Sequence, residues 1–151
     1  MMKNRIPPPI WMFICGCVAY VIDILIPGSM GGESERILLS GVCVLVAVVF
    51  LSDSVLGFIR SKTTVNPLQP QKASTLVISG VYRISRNPMY LGMLLFLCAW
   101  ALYIGNPLSG VGAVLFGVVM NVFQIAPEEK VLSEKFGKAY LDYCSKVRRW
   151  I

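Results

Sequence analysis

Histidine is absent from this 151-residue chain. Its absence excludes a histidine general base, a nucleophilic triad built on histidine and the usual histidine-bearing zinc site. Charge is scarce as well: 15% of residues are charged, with eight acidic side chains against fourteen basic ones. So little charge beside 56% hydrophobic residues and a mean hydropathy of +0.67 argues against a water-soluble domain and for a bilayer protein. Internal repeats and low-complexity tracts are lacking. Cysteine is present but unpaired in pattern. Cys15, Cys17, Cys43 and Cys98 fall inside apolar stretches and Cys144 near the end, which gives neither a disulfide framework nor metal-type spacing.

Four apolar stretches are present instead, at residues 10–26, 37–59, 89–104 and 108–126. The second and fourth approach the roughly 20 residues that a hydrocarbon core requires, and the other two are shorter. Lys3 and Arg5 precede the first stretch as they would in a signal peptide, but no small-x-small cleavage site follows near Pro27, so it is read as a retained helix. Asp23 is expected near the end of that helix or against a partner, away from lipid. The expectation is one all-α polytopic membrane domain over residues 1–151, with about four transmembrane helices and a cytoplasmic amphipathic helix over 128–147.

Basic residues set the expected orientation. Thirteen of the fourteen lie before the first stretch, between the second and third, or after the fourth; only Arg36 lies elsewhere, beside Glu33 and Glu35. By the positive-inside rule both termini are cytoplasmic. The net charge of +6 then reflects topology and attraction to anionic lipid, with no call for nucleic acid. The outer loops, 27–36 and Gly105-Asn106-Pro107, are brief, while the inner segment 60–88 is long enough to carry function. Within it Thr63 to Pro67 and Pro70 favour an extended path, and Thr75 to Ile78 is a weak strand or helix signal. Pro88 suits the first turn of the third helix with Asn87 as its N-cap. Pro127 either opens the last helix or kinks a continuation of the fourth. Beyond it Leu132, Phe136, Tyr140, Tyr143 and Val147 form one apolar helical face.

Polar chemistry gathers at the inner ends of these helices. Tyr82, Arg83, Arg86, Asn87 and Tyr90 surround the start of the third helix, Glu128 and Glu129 follow the fourth, and Arg148 and Arg149 stand near the end. Each has an ordinary explanation. The arginines satisfy the positive-inside rule, the aromatic rings and Trp150 an interfacial belt, and the glutamates a helix dipole. Adjacent helical residues point about 100° apart, so only one of the two glutamates need face inward.

Taken together, Arg86-Asn87-Pro88-Met89-Tyr90, the Glu128-Glu129 pair and Phe136-Gly137-x-x-Tyr140-x-x-Tyr143 resemble the isoprenylcysteine carboxyl methyltransferase-like family, relatives of the phospholipid methyltransferases. The resemblance covers roughly residues 60 to 151, including Asn106-Pro107 and the region from Thr64 to Pro67. It implies S-adenosylmethionine as methyl donor, bound on the cytoplasmic side among the last two membrane helices and the terminal helix.

That cofactor presents an ammonium, a carboxylate, a sulfonium and a flat adenine. By analogy and charge, Glu129 with its neighbour Glu128 would receive the ammonium, and Arg86 or Asn87 the carboxylate. Tyr82, Pro88, Tyr90, Leu94 and Tyr140 would line the pocket. Arg148 or Arg149 would orient an acceptor carboxylate, with anionic-lipid binding as the equal alternative. The acceptor implied is lipophilic, with a prenylcysteine-type carboxylate in view. A phospholipid amine is the nearest alternative, and an NADPH-dependent sterol-reductase-like enzyme and a small transporter subunit using Asp23 and Asp53 are more distant ones. Asn87 stands where many relatives have histidine, a feature of short bacterial-looking relatives, which implies a bacterial inner membrane.

Overall fold

Prolines mark where two of the helices begin. Pro8 opens α1 (Pro8–Leu25) and Pro88 opens α3 (Pro88–Ile104), positions where a missing N–H costs nothing. A computed structural model describes residues 6–61 and 75–151. Lys3 and Arg5, and the segment from Thr63 to Pro67 with Pro70, lie outside the described residues. Between α1 and α3 runs α2 (Glu33–Arg60), whose first turn carries Glu33 and Glu35 where a helix dipole favours acids.

The fourth stretch does not end at Pro127. A continuous helical run covers Pro107–Phe136, opening as a 3-10 turn (Pro107–Gly110), continuing as α4 (Val111–Val119), widening into a π segment (Met120–Ile125) and resuming as α5 (Ala126–Phe136). Pro127 has no N–H to offer the preceding turn, and the chain answers by winding that turn more loosely, with Ala126 N–H on Asn121 O five residues back. At 1.5 Å per residue the run is about 45 Å long, longer than a hydrocarbon core of about 30 Å. Its last turns, α5, bury no residue and carry charge.

The terminal helix expected over 128–147 is divided. Gly137, at φ 51 and ψ −125, separates α5 from α6 (Lys138–Lys146). The change of direction puts Tyr140 and Tyr143 in the interior, while Leu132 and Phe136 stay part-exposed, so the apolar face read as one stripe serves two different packings.

The bundle is an integral membrane design. Three helices are long and apolar enough to span a bilayer and α3 is a shorter apolar helix, among the described residues. Phe13, Leu25, Leu38, Leu45, Val49 and Val114 are exposed, an apolar surface of the kind a membrane protein turns to lipid. Inside, Cys15, Met93, Leu97, Phe116 and Met120 join α1, α3, α4 and the start of the π segment. Glycine permits the close contacts: a Cβ on Gly112 would lie 2.5 Å from Cys15 O of α1, and one on Gly92 3.1 Å from Ala47 O of α2.

At the end opposite the candidate site, Arg36 Nη1 donates to Leu102 O at 2.9 Å, so the isolated basic residue of the outer loops caps the carbonyl end of α3. Asn106 Nδ2 donates to Asp23 Oδ1 at 3.0 Å and to Ile26 O at 2.8 Å. Asp23 is therefore satisfied at a helix end.

Candidate functional site

The site forms where the start of α3, the π segment with α5, and the segment after α6 meet. A 3-10 turn (Gly80–Arg83) leads into it, tied to α2 by Val81 N–H on Asp53 Oδ2 at 2.8 Å. Gly80 sits there at φ 62, a conformation open to glycine, and the Asp53 carboxylate occupies the space a Cβ would need. Asp53, weighed from sequence as an intramembrane ion site, thus acts as a backbone acceptor. Tyr82 packs its ring edge-on to Phe58 and gives its carbonyl to Tyr143 Oη at 2.6 Å, docking α6 under the turn.

Both glutamates are engaged. Glu129 Oε1 lies 3.0 Å from Arg86 Nη2. Arg149 reaches the same carboxylate with two nitrogens, Nε to Oε1 at 3.2 Å and Nη2 to Oε2 at 2.6 Å. Glu128 Oε1 accepts from Tyr90 Oη and from Gln124 Nε2, each at 2.7 Å. The side chains of Arg86 and Glu129 are 14% and 18% exposed and that of Arg149 is 40% exposed, so this cluster opens outward on the Arg149 side. Hydrogen bonding to Glu129 raises the Arg149 guanidinium above its ordinary pKa, so it is cationic throughout. Burial first, and then the Glu129 carboxylate, push the Tyr140 phenol well above its ordinary value, against the pull of Arg86. Tyr140 is a neutral group beside the ion cluster.

Asn87 holds the N-cap position of α3, yet its side chain does not cap. Nδ2 donates instead to Arg149 O at 3.0 Å, and Ser85 Oγ donates to the same carbonyl at 3.3 Å. Arg86 N–H donates to Arg148 O at 3.0 Å. Trp150 Nε1 meets Asn121 Oδ1 at 3.2 Å and its ring packs on the core. Residues 148–150 are thereby strapped across the start of α3.

Of the residues expected from sequence, Arg86, Asn87, Tyr90, Glu128, Glu129, Tyr140 and Arg149 come together, Pro88 is buried at the helix start, and Leu94 packs against the core one turn beyond Tyr90. Tyr82 contributes a carbonyl and a buried ring. Arg148 is exposed and enters the cluster through its backbone carbonyl, which accepts from Arg86 N–H. Ser85, Asn121 and Gln124 were not anticipated. The two amides had a signal, since polar side chains inside an apolar span are expensive and tend to be functional. Ser85, fully buried, had none.

The fold and site define a class: a small helical membrane protein with a cluster of charged side chains at one end of its bundle. Residues 36–139, more than half of the chain, match the phospholipid methyltransferase family, and the chain belongs to that family. An uncharacterised protein of Haemophilus influenzae is 52% identical over 63 residues, covering 42% of this chain and 100% of that protein. Protein-S-isoprenylcysteine O-methyltransferase B of Arabidopsis thaliana is 34% identical over 91 residues, covering 58% of this chain and 45% of that enzyme. Delta(14)-sterol reductase of Mus musculus is 34% identical over 73 residues, 48% of this chain and 18% of the reductase. The chain spans less than half the length of both named enzymes.

Proposed function

We propose that this protein is an S-adenosylmethionine-dependent methyltransferase that acts at the membrane on a lipophilic acceptor. Family membership supports the reaction class, and the convergence of Arg86, Glu129, Arg149, Tyr90 and Glu128 at one end of the bundle carries the reading. The residues fit such a cofactor. A carboxylate pair, a guanidinium and neutral aromatic groups lie side by side, and the buried Arg86 Nε has no hydrogen-bond partner among the described residues.

Glu129 is already committed to two guanidiniums, so the ammonium is assigned to Glu128, whose Oε1 is oriented by Tyr90 and Gln124. Arg86 takes the carboxylate, and Tyr82, Asn87, Pro88, Leu94 and Tyr140 shape the pocket around them. When bound, the cofactor supplies a methyl group on a sulfonium, activated for in-line displacement. The chain's task is then to align donor and acceptor and exclude water. An acceptor carboxylate is already ionised at neutral pH and needs no base from the protein. Arg148, exposed at the start of the strap, is suited to orient such an anion or the headgroup of an anionic lipid.

The phospholipid methyltransferase match favours a second acceptor, a lipid amine attacking in its unprotonated form through the same cofactor site. Methyl incorporation by detergent-purified protein into lipid extracts, measured against prenylcysteine analogues, separates the two acceptors. Binding of S-adenosylmethionine by calorimetry tests the shared premise, and a preference for NADPH would overturn it.

A further inference from the structure

Arg36 lies at the end of the bundle opposite the candidate site, and its guanidinium is only partly used. Nη1 donates to Leu102 O at 2.9 Å and lies 3.5 Å from Tyr103 O, both at the carbonyl end of α3. Nε is buried and has no partner among the described residues. Glu33 and Glu35 share the first turn of α2 with it, yet neither forms an ion pair with it among the described residues. Carbonyl bonds on one nitrogen leave the positive charge uncancelled. A guanidinium N–H withdrawn from water without an acceptor is costly, and a phosphate oxygen brought to the Nε side of the fork removes that cost.

Beside this cation runs an apolar furrow. α1 and α2 each pack along α3 and hardly touch one another, so a strip of α3 lies open between them. Gly92 marks the face of α3 turned to α2, where a Cβ would lie 3.1 Å from Ala47 O, and Leu97 the face turned to α1, 3.7 Å from a Cβ on Gly16. At about 100° per residue, Phe96, Trp100 and Tyr103 form one stripe between those two faces. Trp100 and Tyr103 stack, with ring centroids 5.9 Å apart and planes 17° apart, and are 39% and 62% exposed. Trp100 Nε1 donates to Gly16 O of α1 at 3.2 Å, while Arg36 of α2 reaches the backbone of Tyr103 from the other flank. The aromatic pair therefore floors the mouth of the furrow at the level of the guanidinium. Rings at that level suit the junction of headgroup and acyl chain, and the apolar strip below them suits the chain itself.

We infer that Arg36 and the furrow over Phe96, Trp100 and Tyr103 form a binding site for one phospholipid of the leaflet opposite the candidate site. The lipid phosphate takes the Nε side of the Arg36 guanidinium, and an acyl chain lies along the aromatic stripe between α1 and α2. Arg36 thereby does two things: Nη1 caps α3, and the rest of the fork holds the lipid. The site is separate from the proposed methyl-transfer chemistry and stands without it.

The test is native mass spectrometry of the detergent-purified full chain titrated with phosphatidylglycerol, with diacylglycerol of the same chains and with inorganic phosphate. Thermal melting confirms that each variant is folded. The unaltered protein is expected to hold a phosphatidylglycerol about tenfold or more tighter than diacylglycerol, and to retain no inorganic phosphate. Arg36→Gln should weaken that lipid about fivefold or more, and Arg60→Gln, exposed at the other end of α2, by less than about twofold. Tyr103→Ala keeps the carbonyls that Arg36 caps and should weaken phosphatidylglycerol and diacylglycerol alike. Equal affinity for the two lipids means that the phosphate is not recognised and overturns the inference. Inorganic phosphate held as tightly as the lipid overturns it too, because the ligand is then a free ion. So does an unchanged phosphatidylglycerol affinity in folded Arg36→Gln. Should that variant fail to fold through loss of the cap, Tyr103→Ala decides alone, and an undiminished affinity there rejects the site.

Discussion

Asn87 illustrates what a single side chain does here. An amide cannot move protons near neutral pH, and its donor goes to the Arg149 carbonyl at 3.0 Å. Asn87→His can keep a donor at that point and should retain substantial cofactor affinity. Asn87→Leu leaves the carbonyl to Ser85 alone and should cost about 0.5–1.5 kcal/mol of stability together with cofactor affinity. Thermal melting and calorimetry on the two variants check this, and a fully active Leu variant beside a dead but folded His variant refutes it. Tyr143 is the second case. Burial pushes its phenol well above the ordinary value, with Arg86 pulling the other way, while Oη donates to Tyr82 O. Because the unfolded phenol ionises near pH 10 and the folded one only above that, the stabilisation from the neutral phenol is complete below about pH 10 and declines as pH rises past it. Tyr143→Phe should flatten the alkaline limb of a melting-temperature profile. An unchanged limb would mean that other groups produce it.

At the scale of elements, glycine decides how closely helices approach and where they turn. Gly112→Ala puts a methyl 2.5 Å from Cys15 O, which forces α1 from α4 and should destabilise by about 1–3 kcal/mol. Gly117→Ala on the same helix meets nothing within 4 Å and is the control, expected to be neutral or slightly stabilising in detergent melts. Equal behaviour of the pair would deny the close approach. Gly137→Ala must hold an L-residue at φ 51, a strain of about 1–2 kcal/mol, and should loosen α6 from Tyr82. Protease susceptibility after Lys138 would report it. These breaks explain how far the elements were legible. Apolar runs and proline positions are local signals, and α1 and α3 begin within two residues of the sequence reading. The division at Gly137 was hidden because Leu132, Phe136, Tyr140 and Tyr143 keep helical spacing across it. The π segment was hidden because its cause, Pro127, is equally compatible with a helix start.

For the whole molecule, the described basic residues apart from Arg36 gather at the site's end of the bundle, on the segments around Arg60, Arg83 and Arg86 and from Lys130 to Arg149. Positive-inside logic then predicts that this end faces the cytoplasm, with both termini. Reporter fusions at each terminus and labelling of cysteines introduced at positions 75–87 should all read cytoplasmic. A tail on the far side would separate the site from a cytosolic cofactor.

Composition and order along the chain determined the bilayer setting, the number of apolar segments and the family motifs, because hydropathy, charge bias and short spacings are properties of neighbouring residues. The roles within the site were decided by tertiary structure. Helical spacing directs Glu128 and Glu129 to different sides but does not say what each side meets. Gln124 reaches Glu128 along its own helical run, but only folding brings Tyr90 to that side, and Arg86 and Arg149 to the other. The same holds for Asn87, whose partner is a backbone carbonyl with no trace in the pattern of side chains, and for Arg36, whose charge read as an exception until the end of α3 stood beside it. Pairings between residues far apart depend on how the helices pack, and packing is settled by volume and close approach, at positions such as Gly92 and Gly112, which local periodicity does not encode.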